Sequence, residues 1–252
     1  MDKKRKRFVI WLTPSAILKI IMSLFLVALI GFIYTNELPT TKTWSDWTMP
    51  LSGRTIVLDA GHGGVDGGAS SKSGVVEKDI NLAISTYIRD YLQQAGAIVY
   101  MIREEDTDLA APDTKGYSKR KTEDLKARVK FIEDKKADMF LSIHMNAVPS
   151  SKWNGAQTFY YPIHQENYTL ATLIQEELKR NLSNTDRTVK RIDKGIFILE
   201  NLKMPSALIE AGFLSNPTEA QQLRTKAYQQ KVAASIYQGI LRYYSGEKVG
   251  PT

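Results

Sequence analysis

Thr55–Ala69 reads TIVLDAGHGGVDGGA, and the rest of the chain can be placed relative to this stretch. Ile56, Val57 and Leu58 form a short apolar run rich in β-branched residues, which predicts a buried strand. Gly61, Gly63, Gly64, Gly67 and Gly68 follow within eight residues. Such a cluster lets the backbone turn sharply and come close to a ligand or metal, at a cost in chain entropy. His62, one of only 3 histidines, sits inside it. An imidazole just past a buried strand, in an uncrowded loop, is well placed to ligate a metal; a surface turn with an incidental histidine is the plainer reading of this stretch alone. A phosphate loop fits poorly. The third glycine of a dinucleotide fingerprint is missing, no Gly-Lys-Ser/Thr occurs, and no helix opens directly from the loop.

Outward from this stretch, strand and helix patterns alternate. Apolar residues from Ile80 to Leu92 recur at helical spacing, predicting a helix over Glu77–Gln94 that Gly96 closes. Ala97–Ile102 predicts a second strand, residues 103–121 a long polar loop, and Glu123–Lys135 a further helix. MFLSIH predicts a third strand ending at His144. Gln157–Tyr161 and Ile196–Leu199 predict short strands, with a helix over Tyr168–Leu182 between them. Ala207–Phe213 is a buried strand pattern with one carboxylate, Glu210, inside it. Asn216-Pro217 starts a helix, and Ala227–Tyr244 carries the last one. This alternation predicts a single α/β domain with a mostly parallel central sheet covered by helices on both faces.

Charge and composition narrow the function classes. The net charge is +7, but residues 1–7, MDKKRKR, hold five positive groups and one negative. The remainder is near neutral, which argues against a nucleic-acid partner. A basic head before an apolar run marks the cytoplasmic side of a membrane segment. From Phe8 to Tyr34 only Lys19 is charged, and Ile17–Tyr34 nearly spans a bilayer. No small-residue cleavage site follows the run, so an uncleaved signal anchor is the first reading and a cleaved signal peptide the second. Either puts the domain outside the cytoplasm. The expected organisation is a head and anchor over 1–34, a linker over 35–53, a domain over 54–245 and a tail over 246–252. With no cysteine, disulfides and thiolate metal sites are excluded.

Three strand ends then carry His62, His144 and Glu210, while Glu77 opens the helix after the glycine loop. Ligands gather at the carboxyl ends of strands in open α/β sheets. Two imidazoles and one carboxylate make a common catalytic zinc set, and a second carboxylate outside it serves as general acid or base. Each residue has a plainer reading. Glu77 could be an exposed charge at a helix start and His144 a satisfied core histidine; Glu210, inside LIEAGF, is costly to bury unpaired. His164 lies in a polar loop and is set aside.

DAGHGGVDGGA, VVEKDINLA, LSIHMNA and ALIEAGFLSN, in that order, resemble the motifs of the zinc-dependent N-acetylmuramoyl-L-alanine amidases of the amidase-3 family. The resemblance covers residues 54–245. It is closer still to the germination-specific members in spore-forming bacteria, through KGYSKRKTEDLKARV, SKWNGAQTFYY and the N-terminal apolar segment. Ala60 departs from the proline the family often has before Gly-His. The resemblance implies one zinc ion on His62, Glu77 and His144, with Glu210 as the catalytic acid and base; Asn146 is a candidate substrate hydrogen-bonder.

The implied substrate is peptidoglycan, its glycan strands bearing stem peptides, cut between the lactyl group and L-alanine. For the germination-specific members it further implies a place between the forespore membranes, facing the cortex. There, coupling to a muramic acid deacetylase leads to muramic-δ-lactam. A vegetative autolysin of the same chemistry and a catalytically silent peptidoglycan-binding protein are the competing readings. An intact Glu210 speaks against the silent protein.

Overall fold

The computed structural model describes residues 13–35, 49–193 and 195–250, which fall into two units. The first contains α1 (Pro14–Thr35), a 22-residue helix. At 1.5 Å per residue it is about 33 Å long, enough for the ~30 Å hydrocarbon core of a bilayer. Its apolar side chains are exposed all round, from Ile17 to Phe32, so the helix is long and apolar enough to cross a membrane. The basic head and the two linker tryptophans, Trp44 and Trp47, lie outside the described residues.

The second unit begins at Met49. Residues 49–53, grouped with the linker on sequence, pack onto it: Leu51 is fully buried and its N–H donates to the Ala95 carbonyl. Six strands follow: β1 (Thr55–Ala60), β2 (Ile98–Met101), β3 (Met139–Asn146), β4 (Gln157–Tyr160), β5 (Lys190–Arg191) and β6 (Ser206–Phe213). They form one sheet in the order β2-β1-β3-β6-β4-β5. The first four run parallel, and β4 pairs antiparallel with β6, carrying β5 beside it.

Period-two alternation sends side chains to two cores. Ile56, Leu58, Met139, Leu141, Ile143, Ala207 and Ile209 face one layer, built from α2 (Glu77–Gln94), α4 (Gln165–Leu182) and α7 (Lys226–Tyr244). Val57, Phe140 and Leu208 face the other, where α3 (Tyr117–Asp134) and α5 (Phe197–Glu200) lie. The parity matters for function, because Asp59, Ser142, His144 and Glu210 fall on the α3–α5 face. In α2, Ile80, Ile84, Ile88 and Leu92 are spaced four apart and buried, which lays the helix on the sheet with Glu77 at its first turn.

Two sequence expectations fail here. Ile196–Leu199 is not a strand: α5 occupies Phe197–Glu200, burying Ile198 and Leu199 while Phe197 stays exposed. Glu200 accepts the Gly195 N–H and Asn201 donates to the Phe197 carbonyl, closing a single turn that four apolar letters could not announce. Likewise α3 starts at Tyr117, not Glu123, because its first turns are solvated and carry no apolar stripe. Asn216 does cap α6 (Pro217–Leu223), its side chain accepting from the Thr218 and Glu219 N–H groups.

The α4–α7 crossing is tight enough to test. A Cβ on Gly239 would lie 2.6 Å from the Ile174 Cα, a backbone atom that cannot swing aside. Gly239→Val is therefore expected to lower stability by about 1–3 kcal/mol, read from denaturant unfolding. A variant as stable as the parent would mean the helices separate freely.

Candidate metal centre

The order β2-β1-β3 makes a switch point between β1 and β3, where the chain leaves β1 in one direction and returns on the other side. His62 follows β1 there, and His144 is the last β3 residue in regular register with β6, opposite Glu210 and just before a bulge. The Gly61 N–H donates to the Ile143 carbonyl at 3.1 Å, drawing the two loops together. Glycine is required at this approach: a Cβ on Gly61 would lie 2.2 Å from His144 Cε1, and one on Gly68 2.5 Å from Glu77 Oε2.

Three donors converge. Glu77 Oε1 lies 3.2 Å from His62 Nε2 and 3.1 Å from His144 Nδ1, and the two imidazole rings stand edge to face at 5.0 Å. All three ligand atoms lie within 4.8 Å of one another. Tetrahedral ligands about 2.0–2.1 Å from zinc would sit roughly 3.3 Å apart, close to both Glu77 separations, and two imidazoles with one carboxylate are a donor set that suits zinc. The carboxylate of Glu77 is anchored by the N–H groups of Met145 and Ala69. Burial raises its pKa, but hydrogen bonds from His144 and His62 outweigh that and hold it well below the usual carboxylate range. Burial opposes charge on His62, while Glu77 and Asp66 reverse the balance and raise its pKa. Asp66 Oδ2 stands 2.9 Å from His62 Nδ1, a charge contact without hydrogen-bond geometry, and Tyr117 and Lys121 of α3 hold Asp66.

Glu210 pairs with His144 across neighbouring strands yet stands apart from the hydrogen-bonded trio. Its Oε2 is buried with no hydrogen-bond partner. Burial pushes its carboxyl up to about 7; His144 pulls against that and Glu77 adds to it. Asn146 follows His144 by two residues, opposite Phe213 where a bulge shifts the register. His164 is the N-cap residue just before α4, beyond the far end of β4 and away from the cluster.

Sequence reading missed the supports. His62 has φ 65°, a left-handed conformation costly for a residue with a Cβ. Buried Arg128 donates to the His62 carbonyl at 2.8 Å and pairs with Asp59 and Asp124, while Ser142 donates to the other Asp59 oxygen. Buried Arg103 donates to the carbonyls of Ala60, Gly61 and Lys78, tying the glycine loop to the start of α2. The only sequence signals were an Asp inside a buried strand and an Arg at the end of an apolar run.

The family described as N-acetylmuramoyl-L-alanine amidase, amidase-3, matches residues 56–242. The chain is 53% identical over 220 residues to the germination-specific N-acetylmuramoyl-L-alanine amidase of Bacillus subtilis, covering 87% of this chain and 92% of that one. It is 36% identical over 207 residues to the N-acetylmuramoyl-L-alanine amidase LytC of the same organism, covering 81% of this chain and 38% of LytC. Among solved structures, the CwlD amidase from Clostridioides difficile, in complex with the GerS lipoprotein, superposes with TM-score 0.75 at 44% identity. That match covers 77% of this chain and all of the other.

Proposed function

The chain belongs to the amidase-3 family of N-acetylmuramoyl-L-alanine amidases, and from that premise we propose that it cuts cortex peptidoglycan using zinc held by His62, Glu77 and His144. The bond is the amide between the lactyl group of N-acetylmuramic acid and L-alanine. Zinc, when bound, supplies a Lewis acid for the amide carbonyl and lowers the pKa of water. The observation that carries the reading is Glu210, a half-buried side chain whose Oε2 is buried and unpartnered beside the donor trio. That atom takes a proton from the attacking water and returns it to the leaving alanine nitrogen. Asp66, Arg128 and Arg103 keep the loop and the His62 ring in register, so the donors need no rearrangement as charge develops. Asn146 serves as a hydrogen-bonder to substrate at the rim.

The cortex assignment is supported by 53% identity to the germination-specific amidase. The α1 segment acts as an anchor or signal that delivers the domain outside the cytoplasm, between the forespore membranes. Stripping stem peptides there leaves muramic acid for a deacetylase, on the way to muramic-δ-lactam.

Digestion of purified peptidoglycan by the full-length protein tests the chemistry. The expected products are glycan with an intact lactyl group and peptide with a new L-alanine amino terminus. A new reducing end instead would mean glycosidase chemistry and overturn the reading. In a deletion strain, cortex muropeptides should lack muramic-δ-lactam while vegetative growth stays normal. Lactam at parental levels would assign the enzyme to the vegetative wall.

A further inference from the structure

A cluster of polar and aromatic side chains continues the row of the sheet that carries the candidate metal centre. His144 pairs with Glu210, and Glu210 pairs with Gln157 on β4, so three adjacent strands present side chains at one level. Residues directly opposite on antiparallel strands share a face, which puts Gln157 on the Glu210 side. The row ends on Arg187. Its Nη1 lies 3.4 Å from Gln157 Oε1, and its Nε donates to the Asn154 carbonyl at 3.2 Å. The guanidinium stacks on the rings of Phe213, at 4.9 Å, and Trp153, at 5.3 Å.

Arg187 is thus held on several sides but has no ion pair among the described residues. The nearby Glu219 carboxylate is committed to the N–H groups of Gly155 and Phe213. A groove of about 820 Å³ opens beside Arg187, lined also by Trp153, Asn154, Lys179, Asn184 and Asp186. Trp153 is 55% exposed, an unusual position for a large aromatic ring on a protein surface. A planar guanidinium preset on two rings, next to an open groove, is suited to a carboxylate.

We propose that Arg187, Gln157 and Trp153 form a subsite that receives a stem-peptide carboxylate on the alanine side of the scissile amide. The proposal rests on the amidase reading and names where the leaving peptide lies. Strands are spaced about 4.7–4.9 Å apart, so Gln157 stands one strand spacing from Glu210 and Arg187 lies beyond it. An extended peptide advances about 3.3–3.6 Å per residue, which brings a carboxylate one or two residues past alanine to the guanidinium. Trp153 offers its exposed face to the peptide or the adjoining sugar.

The test compares purified peptidoglycan whose stem-peptide carboxylates are free with the same material after amidation, using full-length protein and reading release of the alanine amine. Wild-type protein should prefer the free carboxylates in kcat/KM by about 10- to 100-fold. In Arg187→Gln that preference should fall toward one, carried mainly by KM, and Arg187→Lys should recover part of it. Trp153→Ala, which removes an exposed ring from beside the guanidinium, should raise KM on the free-carboxylate substrate. The proposal is overturned if wild-type protein does not distinguish the two substrates, or if Arg187→Gln keeps the full preference. Equal losses on both substrates would make Arg187 a purely structural residue. No alanine release from either substrate by wild-type protein is a different failure, that of the amidase reading itself.

Discussion

Glu210→Gln should keep zinc in place and lower turnover by about 10²–10⁴-fold with little change in KM. Glutamine preserves the size and hydrogen-bonding reach of the side chain and removes only its basicity. The neighbouring carboxylate cannot substitute, because Glu77 is bound by two backbone N–H groups and faces both imidazoles. Glu210 is the group with an oxygen to spare, and burial brings its carboxyl up to about 7, where a proton can be both taken and returned near neutral pH. Elemental analysis and alanine-amine release on the same preparation separate the outcomes. Loss of metal with activity would make Glu210 a ligand. Near-normal turnover would remove it from the mechanism.

The sheet and its long helices were legible because burial imposes a period on sequence. β1, β3 and β6 are covered on both faces, so they read as continuous apolar runs, and α2 displays its core face at four-residue intervals. The failures share a cause. At α5 the chain buries only Ile198 and Leu199, too few for one period to be told from another. β5 is two exposed basic residues whose strand geometry comes wholly from pairing with β4. The site divided the same way. His62, Glu77 and His144 stood out by type and by their place near a strand end or at a helix start, and Glu210 as the one carboxylate inside a buried strand. Arg128 and Arg103 did not, because a basic residue on a polar helix or loop looks solvated until the fold buries it. Gln157 and Arg187 were equally silent, being joined to Glu210 only through the antiparallel register of β4.

Loss of metal should follow from two quite different substitutions. His144→Ala deletes a donor outright, and zinc affinity should fall beyond the roughly 10–100-fold typical of removing a residue that merely supports a ligand. Gly61→Ala deletes none of the three donors. Its new Cβ would fall 2.2 Å from His144 Cε1 and 2.3 Å from Nε2, so the imidazole must leave its place. The loop cannot yield instead, because the Gly61 carbonyl is held by Arg103 and Asn81 and its N–H by Ile143. Both variants should therefore bind zinc at least about a hundredfold more weakly than the parent in competition with a chelator, and lose activity in proportion. Their folding should separate them from general collapse, since the cores on either side of the sheet lie away from the loop. Zinc bound at parental affinity in His144→Ala would overturn the ligand assignment. If only Gly61→Ala kept its zinc, the ligands would stand but the packing of His144 against the glycine loop would not be what holds them.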